Sequence, residues 1–315
     1  MIIDNTVHSL LVKKENAHDG AIYCCAWVKT NTTEDAEAPL KDFLVTGGQD
    51  GIVKVWLFEN NRLELVHSLA EHPMAVLSVA VSPDGHTIAS TCMGSILIIW
   101  DLVSGNKVHQ IENSVLDVWK VAFSPDGTQV VTGSHTGKLG LHGIVKGTLD
   151  KVLDTRGKFD LCVAWSPDGK FIAAGSTDGA VYTYNMVLDK LRYTIPAHDQ
   201  VIRLKLKKNF VYAFSLLLLK NIKYTSRPMA AAASPDGSRA ALAGADGSVR
   251  LALMDKLQQI HLFQEHTGPV CGLQFNAAGD KLLSVSKDKS INIYECPVPP
   301  KPKPVVKKKS DDTTT

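Results

Sequence analysis

The tetrapeptide Ser-Pro-Asp-Gly begins at Ser82, Ser124, Ser166 and Ser234, and Asn276-Ala277-Ala278-Gly279 is a weaker copy. Successive intervals are 42, 42, 68 and 42 residues. Chance does not produce three equal intervals of that length, so the chain is built on a repeated unit. Upstream of each copy lies an apolar alternating segment, such as Val79-Ala80-Val81, Val121-Ala122-Phe123, Val163-Ala164-Trp165 or Leu273-Gln274-Phe275. In the tetrapeptide, Pro fixes φ at the second turn position and Gly accepts a positive φ. A second strand follows at Thr87–Ser90, Gln129–Thr132 and Phe171–Ala174, then a tight turn such as Thr177-Asp178-Gly179 or Ala245-Asp246-Gly247. A third strand ends on an aromatic in most copies: Trp56, Trp100, Tyr184 and Tyr294. Period-two alternation between turn signals is the pattern of half-buried antiparallel strands.

A unit of roughly 40–45 residues with four strands is the signature of a β-propeller blade, so the fold class is all-β. The units resemble WD repeats. Glu71-His72, Ala197-His198 and Glu265-His266 stand where that family has Gly-His, and Trp100-Asp101 is a full Trp-Asp. The resemblance implies a structural network of His18, Thr46, Asp50 and Trp56 in the first blade. In the last blade the network is His266, Ser284, Asp288 and Tyr294. It is incomplete elsewhere, since Gly94 and Thr136 replace the Asp. These side chains satisfy one another inside a blade and are not read as catalytic.

The resemblance implies a seven-bladed propeller over 1–296. A closed ring removes exposed strand edges, so the strand at Val7–Lys13 is expected to complete the last blade by pairing with the strand that ends at Tyr294. Residues 28–42, rich in Thr, Glu and Asp, read as a mobile insertion between two strands. The fifth blade, about 198–227, is degenerate or disrupted. The 68-residue interval is too short for two repeats, and Lys207–Arg227 has no turn tetrapeptide, no Asp-Gly and no alternation. Three accounts of 207–227 stay open: a divergent blade, an insertion that helps bind a partner, or sequence outside the native coding frame, such as translated intron.

Composition places the charge. The net charge is +2, but residues 297–315 carry five Lys, two Asp and five Pro, leaving the rest of the chain at −1. The propeller therefore has no electrostatic footing for sequence-specific nucleic-acid binding. The tail reads as disordered, and Lys307–Lys309 as a solvated end, a weak import signal or an RNA-phosphate contact. The N-terminus shows no secretory pattern, and the longest apolar run, Phe210–Leu219, is about half of what spans a bilayer. Six cysteines without a Cys-x-x-Cys pair predict reduced thiols in an intracellular protein, with neither metal nor cofactor. There is no phosphate loop and no metal-ligand spacing. No nucleophile set stands outside the repeat frame, so no enzyme is expected.

A narrower resemblance is carried by Leu153-Asp154-Thr155-Arg156-Gly157-Lys158-Phe159 with Ala164–Lys170, and by Glu15-Asn16-Ala17-His18-Asp19 with Ala26-Trp27. Asp117-x-Trp119 and the ending Ile293-Tyr294-Glu295-Cys296-Pro297 add to it. These are similar to the WD-repeat subunit of the superkiller complex. The match covers roughly 7–206 and 228–297. It implies a non-catalytic adaptor that serves exosome-dependent 3′→5′ mRNA decay. Its partners would be a tetratricopeptide scaffold and a helicase, with the polymerase-associated transcription elongation complex as a further assembly in some lineages. Cytoplasm and nucleus, and a monomer outside its complexes, follow from the same resemblance. A ubiquitin-ligase substrate receptor or a histone-binding reader is the alternative within the repeat family. The expected docking surface is the top face, built by loops entering the first strands and turns between second and third strands. There Tyr23, Leu77, Met93, Trp119 and Phe159 form an apolar patch with Arg156 and His135 on its rim.

Overall fold

A computed structural model of the chain describes residues 7–31, 39–112, 118–154, 160–176, 180–196, 228–254 and 258–298. Every regular element among them is a β-strand. Each Ser-Pro-Asp-Gly reverses the chain in the same way. The Ser carbonyl accepts the Gly amide at 2.9 Å in all four copies, and the weaker copy repeats this at 3.0 Å between Asn276 and Gly279. The turn glycines have φ between +68° and +81°, where a Cβ is strongly disfavoured. The Ser hydroxyl works twice. Ser124 Oγ donates to Asp126 at 2.5 Å and accepts the Gln129 amide at 3.0 Å, and Ser166 does the same with Asp168 and Phe171. The Ser124 hydroxyl also holds the Asp126 carboxyl below its usual range.

The first blade contains β2 (Ile22–Thr30), β3 (Lys41–Gly48), β4 (Val53–Glu59) and β5 (Arg62–Leu69), paired in that order. The second holds β6 (Val76–Val81), β7 (Thr87–Cys92), β8 (Ile96–Asp101) and β9 (Lys107–Glu112). The third holds β10 (Val118–Phe123), β11 (Gln129–Ser134), β12 (Lys138–Gly143) and β13 (Thr148–Asp154). The fourth holds β14 (Asp160–Trp165), β15 (Phe171–Ser176), β16 (Ala180–Asn185) and β17 (Lys190–Pro196). The penultimate blade is β18 (Pro228–Ala233), β19 (Arg239–Gly244), β20 (Val249–Leu253) and β21 (Gln258–Phe263). The closing blade is β22 (Val270–Phe275), β23 (Lys281–Ser286), β24 (Ile291–Glu295) and β1 (Ser9–Lys14), the last from the start of the chain.

The first strands of neighbouring blades lie together in the order β14, β10, β6, β2, β22, β18. Among the described residues no comparable approach joins β18 to β14. The degenerate blade expected at about 198–227, and the irregular segment 207–227 within it, lie outside the described residues, as does the tail beyond Val298. The strand expected at 7–13 is β1, antiparallel to β24, with Leu10 opposite Tyr294 and Lys13 opposite Asn292.

Packing joins blade to blade. Val45, Val53 and Val55 of the first blade meet Val76, Ile88, Ile98 and Trp100 of the second. Ile22 and Leu44 meet Leu283 and Ile293 of the closing blade, with Leu11 and Val12 of β1 against them. Each fully buried Leu, Ile or Val contributes about 1.5–3 kcal/mol, so these seams hold neighbouring blades together.

One boundary needs correction. Residues 28–42 are not a single insertion, because Val28, Lys29 and Thr30 pair with Phe43, Asp42 and Lys41. Continued strand pairing satisfies those backbone groups and narrows the connection to 31–40, of which 32–38 lie outside the described residues.

Candidate docking face

In the first blade, the Trp56 indole N–H donates to Thr46 Oγ1 at 2.9 Å, and Thr46 lies 2.8 Å from His18 Nε2. This order of donors leaves the His18 Nδ1 hydrogen to Asp50 at 2.9 Å. Asp50 also accepts the amides of Asp19 and Ile52, each at 3.1 Å, which ties the loop entering β2 to the β3–β4 turn. Burial lowers the His18 pKa, against the pull of Asp50. In the closing blade, His266 Nδ1 stands 3.1 Å from Asp288 and Nε2 2.6 Å from Ser284, whose hydroxyl lies 3.4 Å from the Tyr294 hydroxyl. The eight network residues thus form two sets that brace the loops of one face.

The second blade lacks the carboxylate. Trp100 Nε1 donates to Ser90 Oγ at 2.7 Å and Ser90 meets His72 Nε2 at 2.7 Å, but His72 Nδ1 has no hydrogen-bond partner among the described residues. His72 is 8% exposed, and burial pushes its pKa down to about 4, against the raising effect of Glu71. A Cβ on Gly94 would lie 3.7 Å from Met74 Sδ and 3.8 Å from Pro73 Cγ, so apolar atoms occupy the neighbourhood that Asp50 holds in the first blade. In the third blade His142 replaces the aromatic, with Nε2 3.0 Å from Thr132 Oγ1, and burial lowers its pKa to about 4.

The same face carries a second regularity. Every described first strand shifts register at its second residue, between Ile22 and Cys24, Val76 and Ser78, Val118 and Lys120, Asp160 and Cys162, Pro228 and Ala230, and Val270 and Gly272. The residues set aside by these bulges are Tyr23, Leu77, Trp119, Leu161, Met229 and Cys271. A bulge re-aims a side chain out of the ladder, and these bulges lie at the same end of each described blade.

Of the sequence-predicted patch, Tyr23, Leu77 and Trp119 are half-buried bulge residues, and Met93 in the β7–β8 turn is 55% exposed. His135 is exposed in the β11–β12 turn. Phe159 and Arg156 lie outside the described residues. The Met93 amide donates to the Ala75 carbonyl at 3.0 Å, which brings the turn of Met93 beside the loop of Met74. Met74, 50% exposed, and Met229, 39% exposed, belong to this face and were missing from the sequence-derived patch. Met229 was legible by position: it stands five residues before Ser234, as Leu77 and Trp119 stand before Ser82 and Ser124.

Two cations stand at the inner edge. Lys287 Nζ lies 5.9 Å from the centre of the Tyr23 ring. Lys120, half-buried beside Trp119, takes a register position held elsewhere by Cys24, Ser78, Cys162, Ala230 and Gly272. Burial pushes the Cys24 thiol up to about 12, and the Lys120 charge opposes that rise. Burial likewise raises the Cys271 thiol, opposed by the charges of Lys287 and then Lys120. All six cysteines are free thiols.

Comparison with known proteins agrees with this architecture. The family described as "WD domain, G-beta repeat" matches residues 9–56, 63–101, 105–141, 156–185 and 257–295, more than half of the chain. The chain is similar to WD repeat-containing protein SL1-17 of Schistosoma mansoni, 27% identical over 92 residues, covering 29% of each chain. It is similar to WD repeat-containing protein VIP3 of Arabidopsis thaliana, 31% identical over 98 residues, covering 31% of this chain and 28% of that protein. A stretch of 110 residues is 36% identical to BEACH domain-containing protein A2 of Arabidopsis thaliana, covering 33% of this chain and 3% of that one. The chain spans less than a third of the length of these curated relatives.

Proposed function

The chain belongs to the WD domain, G-beta repeat family, and on that premise we propose that it is a non-catalytic scaffold whose bulged face docks a protein partner. The observation that carries this is the exposure of Met74, Met93 and Met229 on the face where the half-buried Tyr23, Leu77 and Trp119 bulge from the inner strands. Large apolar side chains gathered at one end of a rigid ring favour a protein interface, and methionine adapts to the partner's shape.

Within that role, we propose a subunit of the superkiller complex acting in exosome-dependent mRNA decay, in cytoplasm and nucleus, with the tetratricopeptide scaffold and the helicase as partners. The support is the string Asp154-Thr155-Arg156-Gly157-Lys158-Phe159, which occupies the place where an ordinary repeat has Gly-His. A role in the polymerase-associated elongation complex belongs to the same proposal. Affinity purification of the full chain from its own cells, read by mass spectrometry, tests it. Recovery of the scaffold and helicase supports the assignment, whereas a cullin adaptor or histones in their place would move the chain to a ubiquitin-ligase receptor or a histone reader.

A further inference from the structure

Neighbouring blades are fastened at one recurring carbonyl. Just past the third strand of the second and third blades, the amides of Leu102 and Ile144 donate to His86 O and Thr128 O at 2.7 and 3.1 Å. The carbonyl of the following residue is taken by the preceding blade. His67 of β5 donates from Nε2 to Val103 O at 2.9 Å, and His109 of β9, one repeat later, donates to Val145 O at 3.2 Å. Gly105 and Gly147 make room, because a Cβ on either would lie 2.8 or 2.5 Å from the imidazole. At the corresponding places of the next pair of blades, Lys151 of β13 and Asp189 form an ion pair instead.

The closing blade has no such turn to fasten. Its fourth strand, β1, comes from the start of the chain, so β24 runs out through Cys296 and Pro297 without turning back. The Cys296 amide still donates to Asp280 O at 2.7 Å, which puts Pro297 O in the place of Val103 O and Val145 O. His261, at the register of His67 and His109, meets the His8 ring ahead of β1, with ring centres 5.1 Å apart. An arginine on a different strand supplies the donors. Arg239, the first residue of β19 and 0% exposed, gives Nη1 to Cys296 O at 2.6 Å and Pro297 O at 3.0 Å, and Nη2 to Gly279 O at 2.7 Å. Its Cζ lies 5.7 Å from the centre of the Phe275 ring. Thr87, Gln129, Phe171 and Lys281 hold this position after the other turns, so the arginine is particular to this seam. The nearby acids are engaged by other groups, Asp236 by Ser234 and Ser238, and Asp280 by Asn276 and Lys281. Among the described residues the buried cation is thus answered by three carbonyls, which the planar fork of a guanidinium can reach at once.

We propose that Arg239 is a clasp at the end of the ring. It holds the chain leaving β24 against the penultimate blade, in place of the turn that fastens the second and third blades. Its release frees residues 296–298 and uncovers the Cys296 thiol while the blades stay folded. The clasp is independent of the docking role, because Gly279 turns the chain at the end of β22 opposite its bulge. Removing the guanidinium would leave three carbonyls without their donors, so the clasp is shut in the natural chain.

Alkylation of the folded full chain with iodoacetamide, followed thiol by thiol by mass spectrometry, tests this. Cys296 should react at a rate near that of Cys24, which is buried in the first blade, and far more slowly than the exposed Cys162. Burial raises the Cys24 and Cys296 thiols alike, so a change in one alone reports access to it. Arg239→Met should quicken Cys296 by about tenfold or more with Cys24 unchanged, and Arg239→Lys, with one ammonium, should fall between. Cys296 reacting as fast as Cys162 in the natural chain overturns the clasp, whether or not the Met variant folds. Equal quickening of Cys24 and Cys296 in Arg239→Met also overturns it, because the arginine would then support the whole fold and not its exit. So does a folded Arg239→Met chain in which the Cys296 rate is unchanged.

Discussion

His72 Nε2 lies 2.7 Å from Ser90 Oγ, while the other nitrogen of the same ring is buried with no acceptor among the described residues. Gly94 is the reason, since it stands at the position of Asp50 in the first blade and Asp288 in the closing one. One backbone position thus decides whether a buried N–H is satisfied.

Replacing Gly94 with Asp should therefore stabilise the protein. Gly94 has no positive φ, and its Cβ would make only ordinary contacts, the nearest at 3.5 Å from Cys92 Sγ. A charged acceptor for a buried donor is worth about 1–2 kcal/mol, or roughly 2–6 °C in melting temperature for a domain of this size. Differential scanning calorimetry of Gly94→Asp checks the sign, and a fall in melting temperature would show that Met74 cannot yield the space.

Stability should decline in mild acid. His72 and His142 have pKa values near 4 in the folded chain because burial disfavours the imidazolium, against 6.5 when solvated. The unfolded chain then binds the extra protons first, so this stability is complete above pH 6.5 and is lost as pH falls toward 4. Each unit of separation is worth about 1.4 kcal/mol per group. Proton NMR titration of the two imidazole C2–H signals should find both rings still neutral at pH 5.5, and midpoints near 6.5 would contradict their burial.

Removing residues 1–14 should open the closing blade. The deletion takes away the pairing of Leu10 with Tyr294 and exposes the backbone of β24 as an edge. It also strips Leu11 and Val12 from the seam with the first blade. A melting temperature lower by on the order of 5–10 °C, with concentration-dependent association in light scattering, is the expected result. An unchanged monomer of unchanged stability would mean that β1 adds nothing to closure.

Much of this fold is written in local turn chemistry. Ser82, Pro83, Asp84 and Gly85 each have a separate task in the reversal, so the period showed through even where the Asn276 copy had drifted. The pairing of β1 with β24 was legible for a different reason, because a ring must hide its edges. The two complete networks were legible through the resemblance to WD repeats, which implied His18, Thr46, Asp50 and Trp56 in the first blade and His266, Ser284, Asp288 and Tyr294 in the last. Less visible was Met74, while Met229 showed only through its place five residues before Ser234. Met74 follows a proline in a connecting loop, where sequence alone does not distinguish a solvent-facing side chain from a tucked one. Met229 sits in an alanine-rich strand with little alternation to orient it. The extent of the connection near 28–42 was misjudged because Lys29, Thr30 and Asp42 are polar, although Thr30 is buried and its hydroxyl reaches the Asp84 carbonyl at 3.4 Å.

The docking face is tested most directly by tagging the full chain in its own cells and quantifying its co-purified partner for three forms. These are the natural chain, Met93→Asp with Trp119→Asp, and Lys170→Glu on the Ser-Pro-Asp-Gly turn at the opposite end of the fourth blade. The double variant should lose its principal partner by about tenfold or more at an unchanged melting temperature, with Lys170→Glu behaving as the natural chain. Full retention of that partner by a folded double variant would contradict the account.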